Sequence, residues 1–240
     1  MITRFKNREA LSQAAVALFA EQSQKAVKTH GRFVVLLAGG ETPRRTYELL
    51  AREPLRSRIP WSQVHFFWGD ERCVTADDLH SNALMARRAL LDGLSLKPEQ
   101  LHPIVCLGSP QQAAANYEAE LRVFFADAPP RFDLVFLGLG EDGHTASLLP
   151  GSEALHEQVR WTAVTQRPDE AFCRVTLTLP VLNQAALVVF LVTGGSKAEV
   201  VRAVLKETDR QPLLPAQLIH PLTRTANWFV DSEAACLVNS

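Results

Sequence analysis

The stretch RFVVLLAGGETPRRTYELL, residues 32 to 50, decides the fold of this chain. It begins with a continuous apolar run that ends at Gly39 and Gly40, and Pro43 then stands where the first residue of a helix is expected. An apolar run bounded by glycines is typical of a strand that is buried on both faces of a parallel sheet. Proline is favoured in the first turn of a helix, because no carbonyl there needs its missing N–H. The stretch therefore predicts a strand, a tight turn and a helix.

The same unit recurs along the chain. QVHFFWGDER (63–72) precedes the helical pattern SNALMARRALL, FDLVFLGLG (132–140) precedes the turn DGHTAS, and ALVVFLVTGG (186–195) precedes SKAEVVRAVLKE. A helix is also predicted over residues 7–30, ended by Gly31, with weaker strands at VRWTAV, RVTLTL and NWFVD and a short helix at LPVLNQA. Buried strands that alternate with amphipathic helices predict an α/β fold, with a three-layer, doubly wound, mostly parallel sheet of Rossmann-like type. We expect a single domain over residues 1–240, since no low-complexity linker interrupts the pattern.

The composition is that of an ordinary globular protein. The chain has 240 residues, is 47% hydrophobic, and carries 25 Lys and Arg against 26 Asp and Glu. This balance offers no basic excess for nucleic acid or an anionic membrane, and no apolar run reaches the about 18 residues of a membrane span. The N-terminal sequence MITRFKNREALSQ lacks the apolar core of a secretion signal, so a cytoplasmic protein is expected. The cysteines form no C-x-x-C pair and are expected to be reduced thiols: Cys73, Cys106, Cys173 and Cys236.

Four loops follow the four clearest strands: AGGETP, GDER, GEDGHTAS and TGGSK. Ligands of open α/β sheets bind beyond the carboxyl ends of the strands, where such loops converge. The loops carry side chains suited to proton transfer and anion binding: Asp70, Arg72, Asp142, His144 and Lys197. An active site is therefore expected at this edge of the sheet.

The loop after the third of these strands has glycines at 138, 140 and 143, the spacing of a dinucleotide-binding turn. That function is disfavoured, because Glu141 and Asp142 would set negative charge beside a pyrophosphate. A catalytic turn is favoured instead. His144 suits proton transfer near neutral pH and Asp142 could orient its ring, although a histidine that merely caps the following amides is the alternative.

Two glycine turns are candidates for phosphate binding. Gly39, Gly40 and Thr42 lie at a helix N-terminus, but the lysine and hydroxyl of a Walker loop are missing. Lys197 stands near another helix start, where the helix dipole disfavours a cation. An anion held between the two turns would explain why a lysine stands at this helix start. The alternative is that Lys197 is a solvated surface side chain. Asp70 and Arg72 either pair with each other, or divide the binding of sugar hydroxyls and of phosphate or carboxylate.

Together these segments resemble the family of glucosamine-6-phosphate isomerases and 6-phosphogluconolactonases. The matching segments, in the family's order, are LAGGETPRRTYELL, WSQVHFFWGDERCV, SNALMARRALL, FDLVFLGLGEDGHTASLLPG, RVTLTLPVLNQA, FLVTGGSKAEVV, LPAQLI and NWFVDSEAA. The resemblance implies the isomerase/lactonase type of the α/β fold. It also implies hydrolysis of 6-phosphoglucono-δ-lactone to 6-phosphogluconate, in the oxidative pentose phosphate pathway, without a metal or organic cofactor. The roles it implies are water activation by His144, phosphate binding by Gly39, Gly40, Thr42 and Lys197, and membership of the site for Asp70, Arg72 and Asp142.

Elementary chemistry agrees with a lactonase. A lactone carbonyl needs only a positioned water, a group that accepts its proton and a donor for the oxyanion. We expect His144 to be the base, and either Arg72 or amides of the 138–145 turn to face the oxyanion. The expected partner is a small phosphosugar lactone, with no nucleic acid or membrane, and the chain is expected to act as a monomer. Glu41, beside the glycines, is expected to point to solvent.

Two other functions are weighed against this one. The isomerase turn resembles D-G-H-I-A-F-N-E-P, and aligning the histidines sets Leu149 at the position of its glutamate. Leucine cannot transfer a proton, so isomerisation is disfavoured. A non-catalytic sugar-phosphate sensor would keep the phosphate loops but has no need of Asp142 and His144.

Overall fold

The computed structural model describes residues 1–207, 211–222 and 225–238. The strands in these ranges are β1 (Ile2–Phe5), β2 (Phe33–Leu37), β3 (Val64–Trp68), β4 (Asp70–Arg72), β5 (Leu101–His102), β6 (Leu134–Leu137), β7 (Thr162–Thr165), β8 (Arg174–Leu177), β9 (Val188–Val192) and β10 (Asn227–Asp231). The helices are α1 (Arg8–His30), α2 (Glu41–Leu50), α3 (Asn82–Ala89), α4 (Pro110–Phe124), α5 (Leu179–Leu182) and α6 (Ala198–Lys206). The predicted helix over 7–30 is confirmed as α1, and Gly31 ends it in the left-handed conformation, φ 82°.

Within the described residues, seven strands form one parallel sheet in the order β1-β10-β9-β6-β2-β3-β5. This sheet and its flanking helices confirm the predicted α/β fold. From β2 the chain continues outward to β3 and β5, whereas β6 returns to the other side of β2. The loops that follow β2 and β6 therefore diverge at this point, and such a switch point is where open α/β sheets bind their ligands.

The centre of the sheet is apolar on both faces. Every residue of β2, β6 and β9 is buried. Phe19 of α1 covers this centre, with its ring 5.2 Å from that of Phe33 and 6.5 Å from that of Phe136. Burying each such side chain contributes about 1.5–3 kcal/mol, so the strand ends that carry the loops rest on a rigid base.

A second, antiparallel sheet has the order β4-β8-β7. GDER is predicted as the loop after the strand in QVHFFWGDER, but in the structure the residues after Gly69 form a second strand, β4. The part before Gly69 stays in the parallel sheet as β3, and the part after it leaves to pair with β8. This break moves Asp70 and Arg72 out over the carboxyl edge of the main sheet. A smaller correction concerns α2, which begins at Glu41 rather than at Pro43.

The expectation of four reduced thiols is wrong for one pair. Cys73 and Cys106 form a disulfide although they are 33 residues apart, with their Cα atoms 5.1 Å from each other. Cys73 directly follows β4, and the loop after the edge strand β5 brings Cys106 beside it. Cys173 and Cys236 are free thiols.

Candidate active site

The loops at the switch point surround a cavity of about 210 Å³. The predicted residues that line it are Gly39, Gly40, Asp70, Arg72, His144 and Lys197. Asp142 lies behind His144 and is bonded to it. Thr42 lines an adjoining cavity of about 610 Å³, which shares Gly39, Gly40 and Lys197 with the first. The structure thus brings the predicted residues to one edge of the sheet, from loops that are far apart in sequence.

The histidine turn, residues 138–145, holds an aspartate–histidine pair. Nδ1 of His144 lies 2.5 Å from Oδ1 of Asp142, and the backbone N–H of His144 donates to the same oxygen at 3.1 Å. The pairing assigns the Nδ1 proton to the aspartate side, which leaves Nε2 as the ring nitrogen able to accept a proton. Burial acts to raise the pKa of Asp142, but the hydrogen bonds and charge of His144 and the charge of Arg167 outweigh it and hold that pKa far below its usual range. Asp142 is therefore ionised whenever the protein is folded at ordinary pH.

Glycine is required at two positions of this turn. A side chain at Gly140 would overlap the imidazole of His144 and come within 2.6 Å of Oδ1 of Asp142. Gly143 separates the two paired residues and has φ 82°, in the left-handed region that side chains disfavour. These glycines serve the close approach of the pair, and not a dinucleotide.

Three backbone amides of the turn are engaged within it. The N–H of Gly140 donates to the carbonyl of His144 at 2.8 Å, and that of Gly143 donates to the carbonyl of Gly140 at 3.0 Å. The N–H of His144 is bonded to Asp142. Three of the amides that were candidates for an oxyanion are thus already satisfied, which favours Arg72 for that role.

Two arginines face each other across the second sheet. The register of β4 against β8 pairs Arg72 with Arg174, which also lines the cavity. Arg174 is neutralised by Glu170, with Nε 2.8 Å from Oε2. Arg72 donates from Nη1 to the carbonyl of His80 at 2.7 Å, and among the described residues its buried Nε has no hydrogen-bond partner. Like charges directly opposite each other on neighbouring strands are destabilising, and among the described residues Arg174 has a carboxylate partner whereas Arg72 has none. The pair Arg72 and Arg174, here called the arginine wall, is therefore suited to bind an anion.

Sequence reasoning missed Arg174. It stands at the start of the predicted strand RVTLTL, but only the antiparallel register, which the sequence does not reveal, sets it opposite Arg72.

Asp70 is held by neutral donors. Oγ of Ser147 donates to Oδ2 of Asp70 at 2.5 Å, and Nδ2 of Asn82 donates to the carbonyl of Asp70 at 3.0 Å. Among the described residues Asp70 and Arg72 make no ion pair with each other, so the structure favours divided roles for them. Ser147 and Asn82 are buried residues that the sequence analysis did not select.

Glu71 fixes the start of α3 beside the site. Its buried carboxylate accepts the amides of Arg72, Asn82 and Ala83 at 2.7–2.8 Å. Burial raises the pKa of Glu71 and the amide hydrogen bonds oppose that rise. The carboxylate thus ties Arg72 of β4 to the helix that carries Asn82.

The glycine loops close the other side of the cavity. The Lys197 side chain is about one quarter exposed (24%), with Nζ 3.9 Å from Oε1 of the exposed Glu141, a distance at which pairing in solvent is weak. The hydroxyl of Thr42 lies 2.7 Å from that of Thr193. Glu41 is 66% exposed and pairs with Arg44, so it points to solvent as expected. The cation at the cavity wall thus lies where an anionic group could reach it.

The described residues contain no group of three or more His, Cys, Asp or Glu side chains arranged to hold a metal ion. In the same ranges, no helix is both long and apolar enough to cross a membrane.

Fold and site together define an α/β protein with an aspartate–histidine pair and an arginine wall at the switch point of its sheet. The chain belongs to the family of glucosamine-6-phosphate isomerases and 6-phosphogluconolactonases, whose sequence profile matches residues 6–228.

Individual relatives agree with this assignment. A 6-phosphogluconolactonase of Nostoc sp. is 38% identical over 229 residues, which cover 94% of this chain and 92% of the relative. One of Synechocystis sp. is 38% identical over 232 residues, 95% of this chain and 94% of the relative. The solved structure of a 6-phosphogluconolactonase from Trypanosoma cruzi superposes with a TM-score of 0.86 at 29% identity, covering 100% of this chain and 97% of that one.

Proposed function

We propose that this protein hydrolyses 6-phosphoglucono-δ-lactone to 6-phosphogluconate, the reaction of the oxidative pentose phosphate pathway, with His144 as the base. The relatives named 6-phosphogluconolactonase support the activity. The observation that carries the mechanism is the pairing of His144 Nδ1 with Asp142, which leaves Nε2 able to accept a proton in a cavity that also contains Arg72.

The proposed reaction begins with a water between His144 and the lactone carbonyl. Nε2 takes a proton from this water as its oxygen attacks C1, and the carbonyl electrons move to the exocyclic oxygen. Arg72 donates to that oxyanion, supported by its N–H group that lacks a partner in the described part of the chain. The oxyanion then collapses, the bond from C1 to the ring oxygen breaks, and His144 returns its proton to the departing oxygen. The products are a carboxylic acid, which ionises at neutral pH, and a free hydroxyl group.

The phosphate is proposed to lie between Arg174 of the arginine wall and Lys197 on the other side of the cavity, against the backbone at Gly39 and Gly40. All four line the same cavity. Arg174 binds Glu170 through Nε and Nη2, so Nη1 is the nitrogen proposed to reach the phosphate, and Lys197 adds a point charge. Asp70, held by Ser147, is proposed to accept a hydrogen bond from a sugar hydroxyl.

The isomerase reaction is not supported by this site. Leu149, at the position of the isomerase glutamate, is a hydrophobic side chain that is 7% exposed. It supplies no group that could move a proton during ring opening.

The test is the disappearance of freshly generated lactone in the presence of wild-type protein, His144→Ala, or buffer alone, because this lactone also opens spontaneously. Removal of a general base costs about 10²- to 10⁴-fold in turnover. His30→Ala is the matched control. His30 is the last residue of α1, it precedes β2 and so lies near the amino-terminal end of that strand, and it pairs with Asp133. A wild-type rate equal to buffer, in a folded protein that binds 6-phosphogluconate, would support the sensor instead. Full turnover by His144→Ala would exclude His144 as the base.

We also propose that the protein acts in the cytoplasm and as a monomer. A phosphorylated sugar is charged and stays inside the cell that makes it, which supports the location. The cavity already contains the side chains that the proposed reaction uses, so catalysis needs no residue from a second copy. The disulfide of Cys73 with Cys106 is an uncommon feature for that compartment, where thiols are usually kept reduced. Cell fractionation and sedimentation at assay concentration test these two statements.

A further inference from the structure

We propose that Arg167 is a positioning residue, which fixes the carboxylate of Asp142 and whose positive charge opposes the gain of a second proton by His144. This inference rests on the proposed function, since it assigns a task to a residue behind the proposed base. Arg167 was not selected from the sequence, and it lies in the segment between β7 and β8.

The first argument is the division of the Asp142 carboxylate. Oδ1 is 2.5 Å from Nδ1 of His144, and Oδ2 is 3.0 Å from Nη1 of Arg167. One oxygen therefore serves the imidazole while the other is held by a cation. With both oxygens engaged, the carboxylate cannot rotate without losing a charge-assisted hydrogen bond. Arg167 thus fixes the plane in which His144 must lie.

The second argument is that Arg167 is itself anchored. Its side chain is 29% exposed, and its Nε lies 3.4 Å from Oδ1 of Asp169 and 4.0 Å from Oε1 of Glu170. Glu170 also binds Arg174 of the arginine wall. Because Glu170 contacts both arginines, the segment that positions Arg167 is tied to the cavity wall as well as to the histidine turn.

The third argument is electrostatic. Protonation of His144 would add a second cation to a carboxylate that already binds one. The positive charge of Arg167 therefore opposes that protonation, whereas an unaccompanied Asp142 would promote it. Asp142 orients the ring of His144, but its negative charge also favours protonation of that ring. The positive charge of Arg167 counteracts this second effect.

Other charged groups also face His144. Those from the cavity walls and the turn are Asp70, Arg72, Glu141, Arg174 and Lys197. All of these residues are present in every variant compared, so a difference between variants begins with the loss of Arg167. The fall of activity at low pH cannot come from protonation of Asp142. Burial acts to raise the pKa of Asp142, but His144 and Arg167 hold it far below the assay range.

The test compares Arg167→Gln and Arg167→Lys with wild type over pH 5 to 8, measuring kcat and KM for the lactone above the buffer rate. Arg88→Gln, an exposed arginine of α3, is the control for the change in net charge. For Arg167→Gln we expect the acid limb of kcat/KM to move up by about one pH unit, the usual order for the loss of a neighbouring charge. The fall at pH 6 should then exceed the fall at pH 8. Arg167→Lys should keep the limb near that of wild type, because the charge remains.

A second measurement does not depend on turnover. The His144 ring proton is followed by NMR in wild type and Arg167→Gln, with His144→Asn to assign the signal, and its titration midpoint should rise in the variant. An unmoved midpoint, or an equal loss of kcat at every pH, would overturn the inference and leave Arg167 a structural role only. A raised midpoint in a protein with no lactonase activity would instead keep the inference about protonation and reject the proposed function.

Discussion

The histidine turn and the arginine wall face the same cavity but are built in opposite ways. In the turn, the hydrogen bonds that close the backbone and join Asp142 to His144 connect residues that are at most four positions apart. The wall exists only because β4 leaves the main sheet and pairs with β8, so that two cations from distant parts of the chain stand opposite each other. The turn is therefore sensitive to local shape and the wall to charge. Substitutions in the two regions should lower activity for different reasons.

Among changes that leave His144 in place, the largest effect is expected at the wall. Arg72→Ala removes the cation that is proposed to face the oxyanion, and loss of one such donor lowers kcat by about 10²- to 10³-fold. Arg174→Ala removes a cation proposed to bind phosphate, so it should raise KM more than it lowers kcat. Steady-state kinetics on both variants, above the buffer rate, check this division.

Arg72→Lys sharpens the comparison. A lysine keeps the charge but not the fork of donors, so its kcat should fall between those of wild type and Arg72→Ala. If Arg72→Ala raised KM alone, Arg72 would bind phosphate and the oxyanion would need another donor.

The next largest effect is expected in the turn, through shape alone. Gly140→Ala places a methyl group where the His144 ring lies, so the ring must shift. A displacement of about 1 Å in a catalytic group can cost 10²-fold, and we expect a loss of about that size in kcat. Gly138→Ala is the matched control, because a side chain there would meet nothing within 4 Å.

The two glycine variants separate shape from flexibility. Gly138→Ala should keep activity within about twofold of wild type and gain slightly in stability, as is usual where the backbone tolerates a side chain. Equal losses in both variants would mean that the turn needs mobility rather than room for the pair.

The same contrast explains what the sequence could predict. The buried strands β2, β6 and β9 were predictable because each is an apolar run with no polar face, and the paired Asp142 and His144 because their contact spans two residues. The place of Arg174 in the site was not predictable, because only the register of β4 against β8 sets it opposite Arg72.

The disulfide and the strand β4 share that cause. Cys73 meets Cys106 only after an edge strand is added to the sheet, and the predicted loop GDER contains a strand only because β8 pairs with it. Hydrophobic periodicity reports burial along one element, and it carries no information about which elements become neighbours.

A smaller effect is expected at Ser147, which joins the two regions. It belongs to the segment after the histidine turn, and its hydroxyl donates to Asp70 and lies 3.4 Å from Nη1 of Arg174. Ser147→Ala leaves a buried carboxylate oxygen without this donor, at a cost of about 1–3 kcal/mol in the free energy of unfolding. We expect kcat/KM to fall by about tenfold as Asp70 relaxes, an energy of about 1.4 kcal/mol.

Chemical denaturation and kinetics on the same preparation check both figures. Ser147→Thr, which keeps the hydroxyl, serves as the matched variant in a fully buried position. Wild-type activity in a destabilised Ser147→Ala would show that the serine supports folding and not the position of Asp70.

The smallest effect on turnover is expected at the disulfide, although Cys73 adjoins Arg72. Arg72 is held independently of that bond, because its amide donates to Glu71 at 2.8 Å and the amide of Cys73 donates to the carbonyl of Cys173 at 2.8 Å. Cys106→Ser should therefore keep kcat within about twofold, while removal of a crosslink that closes 33 residues lowers the free energy of unfolding by about 3 to 4 kcal/mol under oxidising conditions. In reductant, wild type should fall to the stability of the variant. A large loss of kcat in Cys106→Ser would mean that the wall depends on this covalent tie, so that the strand pairing of β4 with β8 would not suffice to position Arg72.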